Sequence, residues 1–174
     1  MSIKKIITVP DETLKKISDP IENVGPNEKK LIDDLFETMY HSKGIGLAAV
    51  QIGVLKRVLV VDVSGKDEKN QPLSLINPVI KKFSDETSIY EEGCLSIPDT
   101  FIEIERPQIC EVEYIDNSGK KKILKCDGLL STCIQHEINH LDGKLIIDHL
   151  SKLKKDLIIK KISKIKKNPD RVIV

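Results

Sequence analysis

The stretch His136-Glu137-Ile138-Asn139-His140 decides how the rest of the chain is interpreted, because it has the form H-E-x-x-H. On an α-helix, residues four positions apart lie on one face about 6 Å from each other, so two imidazoles can converge on one metal ion. The pattern predicts a metal-binding helix in which Glu137 stands beside the ion and can transfer protons.

The helix predicted around this motif, over 127–141, has two faces suited to burial. With about 3.6 residues per turn, a second stripe well over a quarter turn from the histidines is purely apolar. The histidine stripe itself also carries apolar or small side chains, so we expect it to line an apolar pocket with a metal at one end. Its other members are Leu129, Thr132 and Cys133.

Two imidazoles are too few ligands, because catalytic sites of the zinc type usually take three protein ligands and leave one position open. The third histidine of a metzincin would stand at a position that is Ile146 here, and no glutamate follows Glu137. Asp148 and His149 remain as alternatives in the segment after the helix.

The four cysteines are the other source of a third ligand. Cys133 lies on the histidine face but seven residues from His140, about 10 Å of helix rise, which one ion cannot bridge. Cys126 is farther along the axis, and Cys110 shares one face of a predicted strand with apolar residues, as a core thiol does. Cys94 remains, in a segment where a glycine permits close backbone approach, and we predict it as the third ligand.

Helices and strands are segregated along the chain rather than alternating, which favours an α+β fold. A helix is predicted after Pro26, and the continuous β-branched run 58–63 predicts a buried strand. A lysine-rich amphipathic helix is predicted at about 150–167. No break in composition divides the chain, so we expect a single catalytic domain over 1–174. Further strands are predicted around 75–83, 102–104, 108–115 and 123–124.

The composition excludes several classes of partner. The 174 residues carry a net charge of +1, so no DNA partner is expected. No run approaches the roughly 20 apolar residues that span a bilayer, and the acids near the amino terminus argue against a targeting sequence. We therefore expect a cytoplasmic protein without membrane contact, whose four cysteines are buried thiols or metal ligands rather than disulfides.

Three separated segments resemble the peptide deformylase family. Gly44-Ile45-Gly46-Leu47-Ala48-Ala49-Val50-Gln51 is similar to the family's G-x-G-L-A-A-x-Q, and Glu92-Gly93-Cys94-Leu95-Ser96 is similar to its E-G-C-L-S. The third segment, from Gln135 to Gly143, is similar to Q-H-E-x-x-H-L-x-G. Order and spacing agree with the family, so the resemblance covers essentially the whole chain.

This resemblance implies antiparallel β-sheets packed around a central metal-binding H-E-x-x-H helix. It also implies an enzyme that removes the formyl group from the N-terminal formyl-methionine of nascent polypeptides and releases formate. Metal-bound water would attack the formyl carbonyl with Glu137 as general acid and base. Apart from the resemblance, we expect Glu92 and Arg106 to form an ion pair that supports the site. Family members often work with Fe(II), and Zn(II), Ni(II) or Co(II) can occupy the site. The ligands of one divalent ion per chain would be Cys94, His136 and His140.

The resemblance assigns further roles around the ion. The side-chain amide of Gln51 and the backbone N–H of Leu95 would donate to the oxyanion that develops in the reaction. The backbone at Ile45 and Gly46 would pair with the substrate peptide as an added strand. The methionine side chain would occupy a pocket lined by Ile45, Tyr90, Leu129, Thr132 and Cys133.

Three other interpretations share parts of this pattern. Residues 44–49 match the dinucleotide-binding pattern G-x-G-x-x-A, and Asp62 stands where a ribose-binding acid would be expected. Dinucleotide binding, however, needs a strand directly before the first glycine. Here the preceding residues have helical periodicity. A zinc endopeptidase would share the metal and Glu137, although the cysteine ligand argues against it. A structural metal site would close all four positions and would leave Glu137 and Gln51 unexplained.

The predicted C-terminal helix is a candidate surface for a partner. Eight lysines stand between Lys152 and Lys167 against one acid, Asp156. This charge fits a solvated face opposite the apolar stripe. It also fits a contact with ribosomal RNA, which would suit an enzyme that acts on nascent chains.

Overall fold

The computed structural model describes residues 2–65 and 70–167, with side chains to residue 165. Three α-helices and seven strands are present in these ranges, together with short 3₁₀ helices at Glu12–Lys15, Ala49–Ile52 and Ile146–His149. The helices are α1 (Pro26–His41), α2 (Gly128–Leu141) and α3 (Lys152–Lys167). The strands are β1 (Gly46–Ala48), β2 (Val58–Val61), β3 (Leu73–Phe83), β4 (Thr87–Cys94), β5 (Ile97–Pro107), β6 (Ile109–Ile115) and β7 (Lys121–Asp127).

The strands form two antiparallel sheets, which confirms the α+β prediction. The larger sheet has the order β1-β2-β3-β6-β7, so β1 and β7 are its edges. The smaller sheet is the hairpin β4-β5. Helix α2 packs against strands of both sheets, and this position explains why it is apolar on two faces.

Strand β2 is buried on both of its faces, as its unbroken apolar sequence predicts. All four side chains are fully buried. Val58 and Val60 join the core cluster that contains residues of α1, whereas Leu59 and Val61 join the cluster that contains residues of α2. The strand therefore fixes the distance between the two helices.

The β4-β5 hairpin packs on the C-terminal part of the chain through a third core cluster. Ile97, Ile102 and Ile104 of β5 contact the 3₁₀ segment around Ile147 and reach Ile162 of α3. The sequence does not predict β4, and β5 extends well beyond the predicted 102–104. The hairpin matters for function because β4 ends at Cys94.

Helix α3 differs from its predicted packing. It begins at Lys152 rather than near 150, and Ile162 is its buried apolar side chain, with Ile158 partly buried. Leu153 and Leu157 are exposed by 72% and 59%. Only part of the predicted apolar stripe is therefore buried, because the core cluster of the hairpin includes Ile158 and Ile162 but neither Leu153 nor Leu157. No helix in the described part of the chain is both long and apolar enough to cross a membrane.

Candidate metal centre

The three predicted metal ligands meet at the contact between the hairpin and α2. Nε2 of His140 lies 3.2 Å from Sγ of Cys94 and also 3.2 Å from Nε2 of His136. All three atoms are within 4.8 Å of one another. A tetrahedral ion with bonds of 2.0 to 2.3 Å separates its ligand atoms by roughly 3.3 to 3.6 Å, so the cluster has the size of such a site.

The alternative ligands lie elsewhere. Among the described residues, no second group of three such side chains could hold an ion. Asp148 accepts from the backbone of Leu145 and pairs with Lys155. Cys110 and Cys126 face each other across β6 and β7 in the core.

Local structure explains how Cys94 reaches the helix. The two-residue turn at 95–96 follows it directly, and the strand register shifts between Gly93 and Cys94. A bulge of this kind redirects a side chain. A Cβ on Gly93 would lie 2.8 Å from the ring of Phe101, so a side chain at this position would require that exposed ring to move.

The electrostatics of the cluster favour a cation. Burial by itself lowers the pKa of His136, but hydrogen bonds with Cys94 and Glu92 outweigh it and raise the pKa to about 10. Burial holds the pKa of His140 well below its ordinary value, so that ring is neutral, as a metal ligand must be. The neighbours that favour a proton on His136 would equally favour a metal ion at this point, and the ring must lose that proton to become a ligand.

A carboxylate behind the cluster fixes the ring of His136. Glu92 lies 2.8 Å from Nδ1 of His136, which directs Nε2 toward the other ligands. Arg106 donates from Nε and a terminal nitrogen to Glu92, the latter at 3.0 Å, as the expected ion pair requires. The same guanidinium donates to Oδ1 of Asn139 at 2.8 Å. Sequence reasoning missed Asn139, whose only signal is its place between the two histidines.

Glu137 lies at the side of the cluster in a buried position. Burial raises the pKa of its carboxyl to about 7, near the value that suits a proton carrier at neutral pH. Its Oε2 has no hydrogen-bond partner among the described residues. A Cβ on Gly46 would lie 2.5 Å from its Oε1, so β1 approaches the carboxylate closely only because Gly46 has no side chain.

Gln51 is held against the cluster by two hydrogen bonds. Its Oε1 accepts from the backbone of Ala48 at 2.8 Å, and its Nε2 donates to Oγ of Ser96 at 3.1 Å. The same nitrogen is directed at Sγ of Cys94 at 3.8 Å. Ser96 is a second residue that sequence reasoning missed, although it stands two positions after Cys94.

A cavity of about 460 Å³ opens beside the cluster. Cys94 and His136 line it, whereas His140 lies behind them. Residues 44–46 contribute to this wall. The segment 44–49 follows α1 rather than a strand, which removes the basis for dinucleotide binding. All nine residues predicted for catalysis or substrate contact line the cavity: Ile45, Gly46, Gln51, Tyr90, Leu95, Leu129, Thr132, Cys133 and Glu137.

Comparisons with known proteins agree with this geometry. The model of the polypeptide deformylase family matches residues 3–156. A peptide deformylase from Pelagibacter ubique is 61% identical over 174 residues, all of both chains. The chain belongs to the peptide deformylase family. It is therefore a metallohydrolase, and a zinc endopeptidase is not favoured.

Solved peptide deformylases have the same fold. A crystal structure from Ehrlichia chaffeensis is 43% identical, with a TM-score of 0.92 over 97% of this chain and 99% of that one. A second structure from that organism, in complex with actinonin, is 44% identical, with a TM-score of 0.91 over 99% and 100% of the two chains. The family likeness thus extends over the cavity and all three candidate ligands.

Proposed function

We propose that this peptide deformylase removes the formyl group from the N-terminal formyl-methionine of nascent polypeptides and releases formate. The observation that carries the proposal is the convergence of Cys94, His136 and His140 beside the buried carboxyl of Glu137. Around it, we assign residues 1–174 to a single catalytic domain in which α2 is the metal-binding H-E-x-x-H helix.

Cys94, His136 and His140 would hold one divalent ion. The donor set fits, because a thiolate and two imidazoles bind iron or zinc and leave a position open. When bound there, such an ion supplies Lewis-acid chemistry that activates water and polarises an amide carbonyl. We propose Fe(II) in the cell, with Zn(II), Ni(II) and Co(II) as alternatives that metal analysis after anaerobic purification distinguishes.

Glu137 would act as the general acid and base. Its carboxylate takes a proton from the attacking water and delivers it to the departing amine. A pKa of about 7 suits both transfers, because the group can accept and release a proton at neutral pH. Hydrolysis therefore returns Glu137 to its starting state.

Gln51 and Leu95 would stabilise the oxyanion. The amide of Gln51 is fixed by Ala48 and Ser96, so it needs no rearrangement when charge develops. Leu95 directly follows Cys94, which fixes its backbone N–H relative to the ion.

The substrate would bind along β1. This strand is an edge of the larger sheet, and an extended peptide can add to such an edge through main-chain hydrogen bonds. Pairing at Ile45 and Gly46 would place the formyl group at the ion. The methionine side chain would then enter the pocket formed by Ile45, Tyr90, Leu129, Thr132 and Cys133.

The cytoplasm is the proposed location, because nascent formylated chains are the substrate. The lysines of α3 up to residue 164 are mostly exposed, which supports a contact with ribosomal RNA through this helix. Cosedimentation with ribosomes should weaken as salt rises and should be lost on truncation after Leu150. Cosedimentation that truncation does not change would contradict this contact.

Formate release from formyl-Met-Ala tests the reaction. Glu137→Ala should retain the ion and lose turnover, whereas Cys94→Ala should lose affinity for the ion itself. Cys110→Ala removes a thiol far from the centre and serves as the matched control. Full metal content in Cys94→Ala would disprove the ligand assignment, and cleavage of an internal peptide bond in a blocked peptide would point to an endopeptidase.

A further inference from the structure

The hydroxyl of Thr132 has no partner in the wall of the substrate pocket. Thr132 lines the cavity and is 4% exposed, and its Oγ1 makes no hydrogen bond to any residue that the structure describes. A buried hydroxyl without a partner costs free energy, since water no longer satisfies it. Such a group is expected to bond to a ligand when one is present.

The polar neighbours of Thr132 on α2 are already engaged. Cys133 directs its Sγ at the carbonyl oxygen of Ile45 at 3.6 Å. Ser131 donates to the carbonyl oxygen of Pro107 at 3.3 Å and accepts from Gln135 at 2.9 Å. Thr132 therefore differs from both neighbours in having an unused donor.

Helix geometry places Thr132 beside the end of a bound side chain. It precedes His136 by four residues, so the two side chains lie on the same face of α2 with their Cβ atoms about 6 Å apart. A methionine whose formyl group is at the ion extends its thioether over a similar distance, along the cavity wall that both residues line. The Oγ1 atom is buried in the described rotamer, but a helical threonine has two accessible χ1 rotamers, and rotation brings the hydroxyl to the pocket surface.

We propose that the Thr132 hydroxyl donates a hydrogen bond to the thioether sulfur of the substrate and so selects methionine over a hydrocarbon chain of equal length. This inference rests on the proposed function of the site. Thioether sulfur is a weak acceptor. A methylene group in its place accepts nothing and leaves the hydroxyl unpaired, so the discrimination acts against norleucine.

The test compares formyl-Met-Ala with formyl-norleucine-Ala in the metal-loaded enzyme. The wild type should have a kcat/KM about three- to tenfold higher for the methionine peptide, as one neutral hydrogen bond predicts. Thr132→Val keeps the shape and removes the hydroxyl, so the ratio should fall to about one or below. Thr132→Ser keeps the hydroxyl and should keep the preference.

The ratio of kcat/KM for the two peptides tests the role of the Thr132 hydroxyl. Equal kcat/KM for the two peptides in the wild type overturns the role of Thr132, and so does an unchanged ratio in Thr132→Val. Thr132→Ala removes the same hydroxyl without an added methyl group and replaces the valine variant if that one does not fold. Formate release from neither peptide overturns the proposed function itself, which separates the two failures.

Discussion

The carboxylate of Glu92 lies 2.8 Å from Nδ1 of His136 while Arg106 holds that carboxylate from the other side. One ion pair thus fixes the orientation of a candidate metal ligand from outside the cluster of ligand atoms. Such partners fix the tautomer and direction of a ligating imidazole.

Neutralising this carboxylate should weaken metal binding. Glu92→Gln should lower the affinity for the divalent ion about 10- to 100-fold, because His136 loses its charged partner and Arg106 is left with a neutral one. Competition with a chromogenic chelator measures the effect. Glu91→Gln changes the exposed neighbouring acid and should leave affinity unchanged; equal affinities in both variants would contradict the positioning role.

Adding one methyl group to β1 should disrupt the proton carrier. In Gly46→Ala the new Cβ would lie 2.5 Å from Oε1 of Glu137 and 2.8 Å from Sγ of Cys133. A displacement of about 1 Å should reduce kcat/KM for formate release on the order of 100-fold. Gly25→Ala, whose Cβ meets only Glu28 at 3.4 Å, is the control, and near-normal activity in Gly46→Ala would show that the carboxylate tolerates displacement.

Removing the ion should lower the melting temperature. A ligand that binds only the folded state stabilises it by mass action, and for a protein of this size the loss should be on the order of 10 °C. Thermal unfolding with and without chelator measures the shift. Chelator should change the melting temperature of Cys94→Ala little, whereas it should lower that of Cys110→Ala as much as that of the wild type. The same decrease in both variants would show that the ion binds elsewhere.

Acid should remove the stabilisation that Asp34 provides. Burial raises the pKa of this carboxyl, but hydrogen bonds from Lys30, Ser2 and Lys4 outweigh it and lower the pKa to about 2. The ionised carboxylate of Asp34 therefore stabilises the folded state above the unfolded-state pKa of 3.8. This stabilisation is lost as pH falls from about 4 to about 2.

Asp34→Asn should accordingly lower the free energy of unfolding at pH 7 by on the order of 2 kcal/mol. The difference from the wild type should shrink toward pH 2.5 in urea titrations. Asp33→Asn alters the exposed neighbour and should change little at either pH. A difference that is constant with pH would mean that the charge of Asp34 is unimportant.

The parts of the fold that the sequence predicts are those with a strong local signal. The buried run that becomes β2 and the two-faced helix that becomes α2 both owe their patterns to burial on two sides. The helix α3 was predicted from its periodicity, but periodicity does not say which of its apolar residues are buried: Leu153 and Leu157 share the stripe with Ile162 and yet are exposed.

Strand β4 escapes prediction because its burial pattern is inverted. Ile89 is 66% exposed, whereas Glu92 is 6% exposed. A carboxylate occupies an inward position because Arg106 and His136 partner it there, and only tertiary structure reveals those partners. Ser96 and Asn139 were missed because their roles also depend on tertiary contacts. Ser96 accepts from Gln51, and Asn139 accepts from Arg106.

Arg106 joins the hairpin to α2 through Asn139 and Glu92, both of which lie outside the triangle of ligand atoms. None of these hydrogen bonds uses a ligand atom, so they do not depend on the ion. We therefore expect the metal-free protein to keep the arrangement of its three candidate ligands. One divalent ion should then exchange for another without a change in the hairpin.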